Sequence, residues 1–104
     1  MESFTKQSYE EFVIAGDFVN VLAVGETLVL ATSEVNAYDT DGTNVTATIL
    51  EGKAISGTQL QIKVKAGNST ASPYIITFYA TTSEGNHWEL DVRLKIKNVG
   101  PEKP

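Results

Sequence analysis

The stretch Trp88-Glu89-Leu90-Asp91-Val92-Arg93-Leu94-Lys95-Ile96 places an apolar residue at every even position and a charged residue at every odd one. Side chains on a strand alternate between two faces, so this segment predicts a strand with one buried and one wet face. Trp88, Leu90, Val92, Leu94 and Ile96 are expected inside; Glu89, Asp91, Arg93 and Lys95 are expected in water. Gln59 to Lys65 alternates in the same way, with Leu60, Ile62 and Val64 inward. Tyr74 to Thr82 carries Tyr74, Ile76, Phe78 and Ala80 on one parity and forms a closing hairpin with His87 to Lys97 around Glu84-Gly85-Asn86.

The earlier part of the chain is less regular. Glu11 to Phe18 reads as a strand interrupted at Gly16-Asp17, which Val19 to Val24 either extends or bridges to the next. Thr27 to Tyr38 is long enough to need a kink or bulge near Thr32-Ser33. Asp39 to Asn44 is a loop of turn formers, Val45 to Leu50 a further strand, and Ala54 to Ser56 a short piece between Gly52 and Gly57. No segment keeps a helical period. Seven short strands separated by turns predict an all-β domain, an immunoglobulin-like or fibronectin type III-like antiparallel β-sandwich. Residues 10–98 are assigned to it, residues 1–9 to a flexible arm and residues 99–104 to a disordered, proline-broken tail. The expected core comprises Leu28, Val35, Ile49, Leu60, Ile62, Val64, Tyr74, Ile76, Phe78, Leu90, Val92 and Leu94.

Composition narrows the function more than the fold. The 104 residues suit one domain, and a 41% hydrophobic fraction is enough for one core. Without cysteine there is no disulfide, thiolate ligand or thiol nucleophile. A net charge of -5 with scattered Lys and Arg disfavours nucleic acid as a partner. No apolar run approaches the ~20 residues of a membrane helix, and the polar, acidic segment Met1 to Glu11 does not read as a secretory signal. The chain is expected either to begin its own cytoplasmic reading frame or to have lost a leader.

Candidate chemistry is sparse. His87 is the single histidine, and it lies beside a turn on the outward parity. Any Ser-His-Asp triad would have to be built on it, and an exposed loop residue is the better reading. Asp39, Asp41 and Asn44 begin like a calcium loop, but the bidentate glutamate of an EF-hand would fall on Leu50. Side chains bonding their own turn are expected there instead. Glu10-Glu11 and the other acids alternate outward or sit in turns, unsuited to a paired acid and base. The sequons Asn44-Val45-Thr46 and Asn68-Ser69-Thr70 are read as chance matches. Tyr74, just after Ser69 to Pro73, stands where a Greek-key sandwich places a tyrosine corner. No catalytic residue, metal ligand or cofactor is assigned.

What remains is surface. Ile75 and Tyr79 fall on the nominally wet side of their strand, and the early strands hold more apolar residues (Val19, Val21, Val24, Val29) than one face uses. This surplus points to protein–protein contact, with Ile75, Tyr79 and Val29 as the candidate interaction surface.

Three runs carry a family likeness: Asp17-Phe18…Val21-Leu22…Gly25-Glu26-Thr27-Leu28, then Ile55-Ser56-Gly57-Thr58-Gln59-Leu60, then Tyr74-Ile75-Ile76-Thr77…Thr81-Thr82-Ser83-Glu84-Gly85. Across roughly residues 10 to 97 the chain resembles small immunoglobulin-like proteins encoded by tailed bacteriophages and prophages. It departs from them in the turn Gly67 to Pro73, and from antibody domains in lacking a cysteine pair and in starting its last strand with Trp88. The resemblance implies a non-enzymatic virion component of the head–tail or tail and fibre genes, made in the bacterial cytoplasm. Its partners would be other virion proteins or further copies of itself, without nucleic acid, membrane or small-molecule substrate. The alternatives are a bacterial cell-surface module for adhesion or carbohydrate binding, with Tyr38, Tyr79 and Trp88 as the aromatic contributors, and, least favoured, a small hydrolase on a β scaffold.

Overall fold

The computed structural model describes residues 2–7 and 9–97. Seven strands form two sheets: β1 (Glu2–Lys6), β2 (Phe12–Asp17), β3 (Glu34–Tyr38), β4 (Leu50–Ser56), β5 (Gln59–Val64), β6 (Tyr74–Thr81) and β7 (His87–Ile96). One sheet has the order β1-β7-β6-β3 and the other β2-β5-β4. The division of strands and the hairpin-plus-crossover connections are those of the expected immunoglobulin-like sandwich.

The core lies where the alternation put it. From the larger sheet come Val35, Ala37, Tyr74, Ile76, Phe78, Ala80, Val92, Leu94 and Ile96; the smaller contributes Ile14, Leu50, Leu60, Ile62 and Val64. Of the twelve expected core residues only Leu90 is half-buried rather than buried. Gly16 permits the closest approach between layers: a Cβ there would stand 2.9 Å from Phe78 Cγ. The Tyr74 hydroxyl accepts the Asn68 N–H at 3.1 Å, closing the corner over Gly67 to Pro73. Gly67, at φ 144°, leaves room for Ile96 beneath that corner.

Four expectations need correction. Residues 2–6 are not an unpaired arm: β1 runs parallel to β7, with Phe4 opposite Leu94 and Lys6 opposite Ile96. The sandwich is therefore not wholly antiparallel. Phe4 is the segment's only large apolar residue, so no alternation announces the strand; the open edge of β7 recruits it. Lys6 is fully buried, its Nζ donating to the Gln7 carbonyl at 2.9 Å, and burial lowers its pKa against the opposing pull of Glu10 and Glu11.

Second, Val45 to Leu50 is not a strand. Thr46–Ile49 makes a single helical turn before β4 begins. Asn44 Oδ1 accepts the Thr46 N–H and hydroxyl at 3.0 and 2.7 Å, and Thr46 Oγ1 accepts the Ala37 N–H at 2.9 Å. These local bonds compete with ladder pairing, although the residues are β-branched. Third, Thr27 to Tyr38 is broken more deeply than by a kink, by a 3-10 turn at Leu30–Thr32. Ser33 splices this break to β6: its Oγ donates to the Val29 carbonyl at 2.6 Å and accepts the Thr81 N–H at 3.1 Å. Fourth, Trp88 is 39% exposed. It pairs with Ala80 near the start of β7 and borders a cavity beside the end of β2 and the connection that follows, which leaves its ring partly open. The expected tail, residues 99–104, lies outside the described residues.

Candidate functional site

The two outer faces differ in chemistry. On the smaller sheet, Lys63 bridges Glu11 at 3.2 Å and Glu51 at 3.8 Å, and Lys65 bridges Glu51 at 3.9 Å. Such half-exposed pairs contribute little stability and describe a solvated, charge-mixed face.

The outer face of β1-β7-β6-β3 is aromatic at its centre. Register places Tyr38 opposite Ile75, Asn36 opposite Thr77 and Glu34 opposite Tyr79. On the other side of β6, Arg93 lies opposite Ile75, Asp91 opposite Thr77 and Glu89 opposite Tyr79. Tyr38 and Tyr79 are rooted at opposite ends of this patch, and the Tyr79 phenol is pushed up to about 12. The neighbouring Tyr38 hydroxyl, as a hydrogen-bonding partner, is the main cause; burial and the negative charges of Glu89 and Asp91 add to it. The Asn36–Thr77 pair lies between the two tyrosines in the register, and Thr77 is only 4% exposed although it faces outward. Beside it, Asp91 Oδ1 is buried without a hydrogen-bond partner among the described residues.

Of the three expected interaction residues, Ile75 and Tyr79 belong to this sheet and Val29 lies in the connection before β3. Ile75 and Tyr79 are half-buried parts of the aromatic patch. Val29 is half-buried beyond the patch, held at its end by donating its N–H to the Thr81 carbonyl at 2.9 Å. The most exposed large apolar groups lie elsewhere: Val24 is at 107%, Tyr9 at 70% and Val13 at 58%, and Val24 shares the connection after β2 with Val19, at 54%. That connection is tightly tied. Phe18 N–H donates to the Thr58 carbonyl at 2.9 Å, and Thr27 and Ser83 exchange bonds at 2.8 and 3.0 Å.

Glu26 anchors the same connection from within. Its Oε1 accepts the Ala23 N–H at 2.9 Å; its Oε2 accepts the Thr82 hydroxyl and, at 2.9 Å, the Asn86 amide. The Ala23 bond foremost, then those from Thr82 and Asn86, hold its carboxyl below the usual range. A depressed folded-state pKa stabilises the fold above the unfolded pKa and loses that effect as pH falls through the folded value. Glu26→Gln is therefore expected to melt several degrees below the wild type at neutral pH, with the gap closing below about pH 4. Thermal melts of both proteins across acidic pH check this; parallel curves would refute the clamp.

The remaining candidates have local duties. Asp39 Oδ1 accepts the N–H groups of Asp41 and Thr43 at 3.0 and 2.9 Å, as the turn reading expects. Asn68 Oδ1 accepts the Thr70 hydroxyl and the Ala71 N–H at 2.7 and 2.9 Å. His87 is exposed opposite Thr81. Among the described residues, no group of three or more His, Asp or Glu side chains is arranged to hold a metal ion. The cross-strand tyrosine pair was beyond sequence reasoning: its members are 41 positions apart and meet only through the β3–β6 register.

No protein-family model matches the chain, and no curated protein matches it. Among solved structures, murine CRIg superimposes with a TM-score of 0.54 at 14% identity, covering 94% of each chain. At that identity the likeness concerns the fold alone. The chain is an all-β, two-sheet domain similar in fold to the immunoglobulin-like CRIg.

Proposed function

We propose that this protein is a non-enzymatic immunoglobulin-like module that acts by protein–protein contact as a structural part of a phage or prophage particle. The observation that carries the contact is the patch of Tyr38, Ile75 and Tyr79 on the solvent side of the larger sheet. Large amphipathic rings that are already half-buried give contact area at little cost in side-chain entropy. The particle assignment rests on the phage-type runs at Asp17 to Leu28, Ile55 to Leu60 and Tyr74 to Gly85.

The patch is rimmed by Glu34, Glu89 and Asp91 against a single Arg93. Two copies meeting face to face would crowd like charges, so a different particle protein with a basic rim is the better partner. The full chain should co-sediment with purified particles from cells that encode it, and Ile75→Asp with Tyr79→Asp should abolish this while keeping the wild-type circular dichroism. Particles free of the protein, or a folded double variant that still co-sediments, would refute the reading. The alternative of a cell-surface carbohydrate-binding module has one observation in its favour, the exposed ring of Trp88, and a glycan array tests it directly.

A further inference from the structure

A second surface lies at the end of the sandwich, where the connection after β2 meets the start of β7. A cavity of about 200 Å³ opens there between Phe18, Val21, Trp88 and Leu90. Its polar lining is Asp17, Asn20 and Glu89; neither lysine nor arginine lines it among the described residues. Phe18 is buried, Leu90 half-buried and Trp88 39% exposed, so the floor is apolar and the aromatic wall accessible. Val21 lines the cavity, and Val19 and Val24 of the same connection are exposed as well, an apolar collar on a segment held by bonds to Thr58, Ser83, Thr82 and Asn86.

The charged rim is fixed as well. Asp17 Oδ1 accepts the Val19 N–H at 3.0 Å and the Thr58 hydroxyl at 2.7 Å. These two bonds, the Thr58 one foremost, keep the carboxyl below its ordinary range and ionised at neutral pH. The Asp17 carboxylate and the indole of Trp88 flank an apolar recess that no lysine or arginine lines among the described residues. A neutral ligand would leave that charge uncompensated, whereas an organic cation meets both groups. An apolar floor beneath a charged rim suits a long aliphatic stem ending in a cationic head.

We propose that this cavity receives the lysine or arginine side chain of a partner protein, with the collar valines packing on apolar residues beside it. The site shares Glu89 with the rim of the tyrosine patch, and its test does not depend on that patch having a function.

Trp88 is the only tryptophan, so its fluorescence and indole N–H resonance report on this cavity alone. The probe is acetyl-Leu-Arg-Leu-amide, compared with the same peptide carrying citrulline, which keeps the shape and loses the charge. The arginine peptide should shift both Trp88 signals saturably and bind more weakly as salt is raised. Asp17→Asn and Glu89→Gln should each weaken it about two- to five-fold, as expected for exposed charge pairs. Glu89 is exposed and outside the core, so that variant keeps the fold even if the Asp17 variant loses it. Equal binding of the citrulline peptide would overturn the proposal. So would Arg-peptide binding that leaves Trp88 unmoved, or a Trp88 response to methyl hexosides in place of the arginine peptide, which would make this a glycan site.

Discussion

Phe78→Ala should lower the unfolding free energy by about 3–5 kcal/mol. A domain of this size has about 5–15 kcal/mol in all, so the variant would be left near the threshold of folding. Phe78 is fully buried on β6, the strand that pairs with both β3 and β7. Its ring faces Gly16 across the sandwich, and the absent Cβ at Gly16 is what allows the two layers to close there. Truncation would open a void against a glycine, which has no side chain to relax into it, so the loss should fall toward the upper end of the range. The measurement is urea denaturation followed by far-ultraviolet circular dichroism, with a lower midpoint and an unchanged slope. Gly16→Ala supplies the reciprocal test. It should destabilise the wild type by about 1–3 kcal/mol through overpacking, and less in a Phe78→Ala background, where the Cγ and Cδ2 it strikes are gone. Additive effects in that cycle would mean that the two residues do not share the contact.

The contrast between this core and the rest of the molecule explains what could be read from the sequence. Alternation in Gln59 to Lys65, Tyr74 to Thr81 and Leu90 to Ile96 reports which side chains enter a common interior, because a two-sided strand has one physical solution for such a pattern. Tyr74 could be placed at its corner for a similar reason: a tyrosine that follows a turn into a central strand has its hydroxyl within reach of the turn's own backbone. Trp88 shows where the rule ends. Its parity is correct, but burial also needs cover from the facing layer, and the ring borders a cavity beside the end of β2. The helical turn at Thr46–Ile49 eluded the same logic, since its β-branched residues favour a strand and only the bonds from Asn44 and to Ala37 decide otherwise. The surplus of valines was legible as a surplus. Its division between a half-buried Val29 and an exposed collar at residues 19 to 24 depends on tertiary bonds that no local pattern carries. The patch at Tyr38 and Tyr79 is legible in part, through the odd parity of Ile75 and Tyr79; the partner ring comes from another strand.

Removal of residues 1–7 should cost about 2–4 kcal/mol and make the protein prone to self-association, although the segment's sequence gives little sign of a structural role. Phe4 packs on the core cluster, and the buried Lys6 stem lies beside Ile96. The Lys6 carbonyl also accepts the Lys97 N–H at 2.9 Å, so the loss would reach the end of β7. Without β1, the longest strand of the sandwich becomes a bare edge with Leu94 and Ile96 behind it, and a long unpaired edge is a template for another chain. β3, at the opposite edge, is shorter and is blunted by the helical turn, whose Thr46 hydroxyl takes the Ala37 N–H. The truncated chain should therefore unfold at lower urea and sediment as a concentration-dependent mixture, while the full chain shows neither change. If β1 were only an arm resting on the surface, truncation would leave midpoint and sedimentation unaltered. The β7 edge would then have to be protected by its own exposed Arg93, Lys95 and Lys97, whose charges repel a like strand but leave the backbone groups of the edge unpaired.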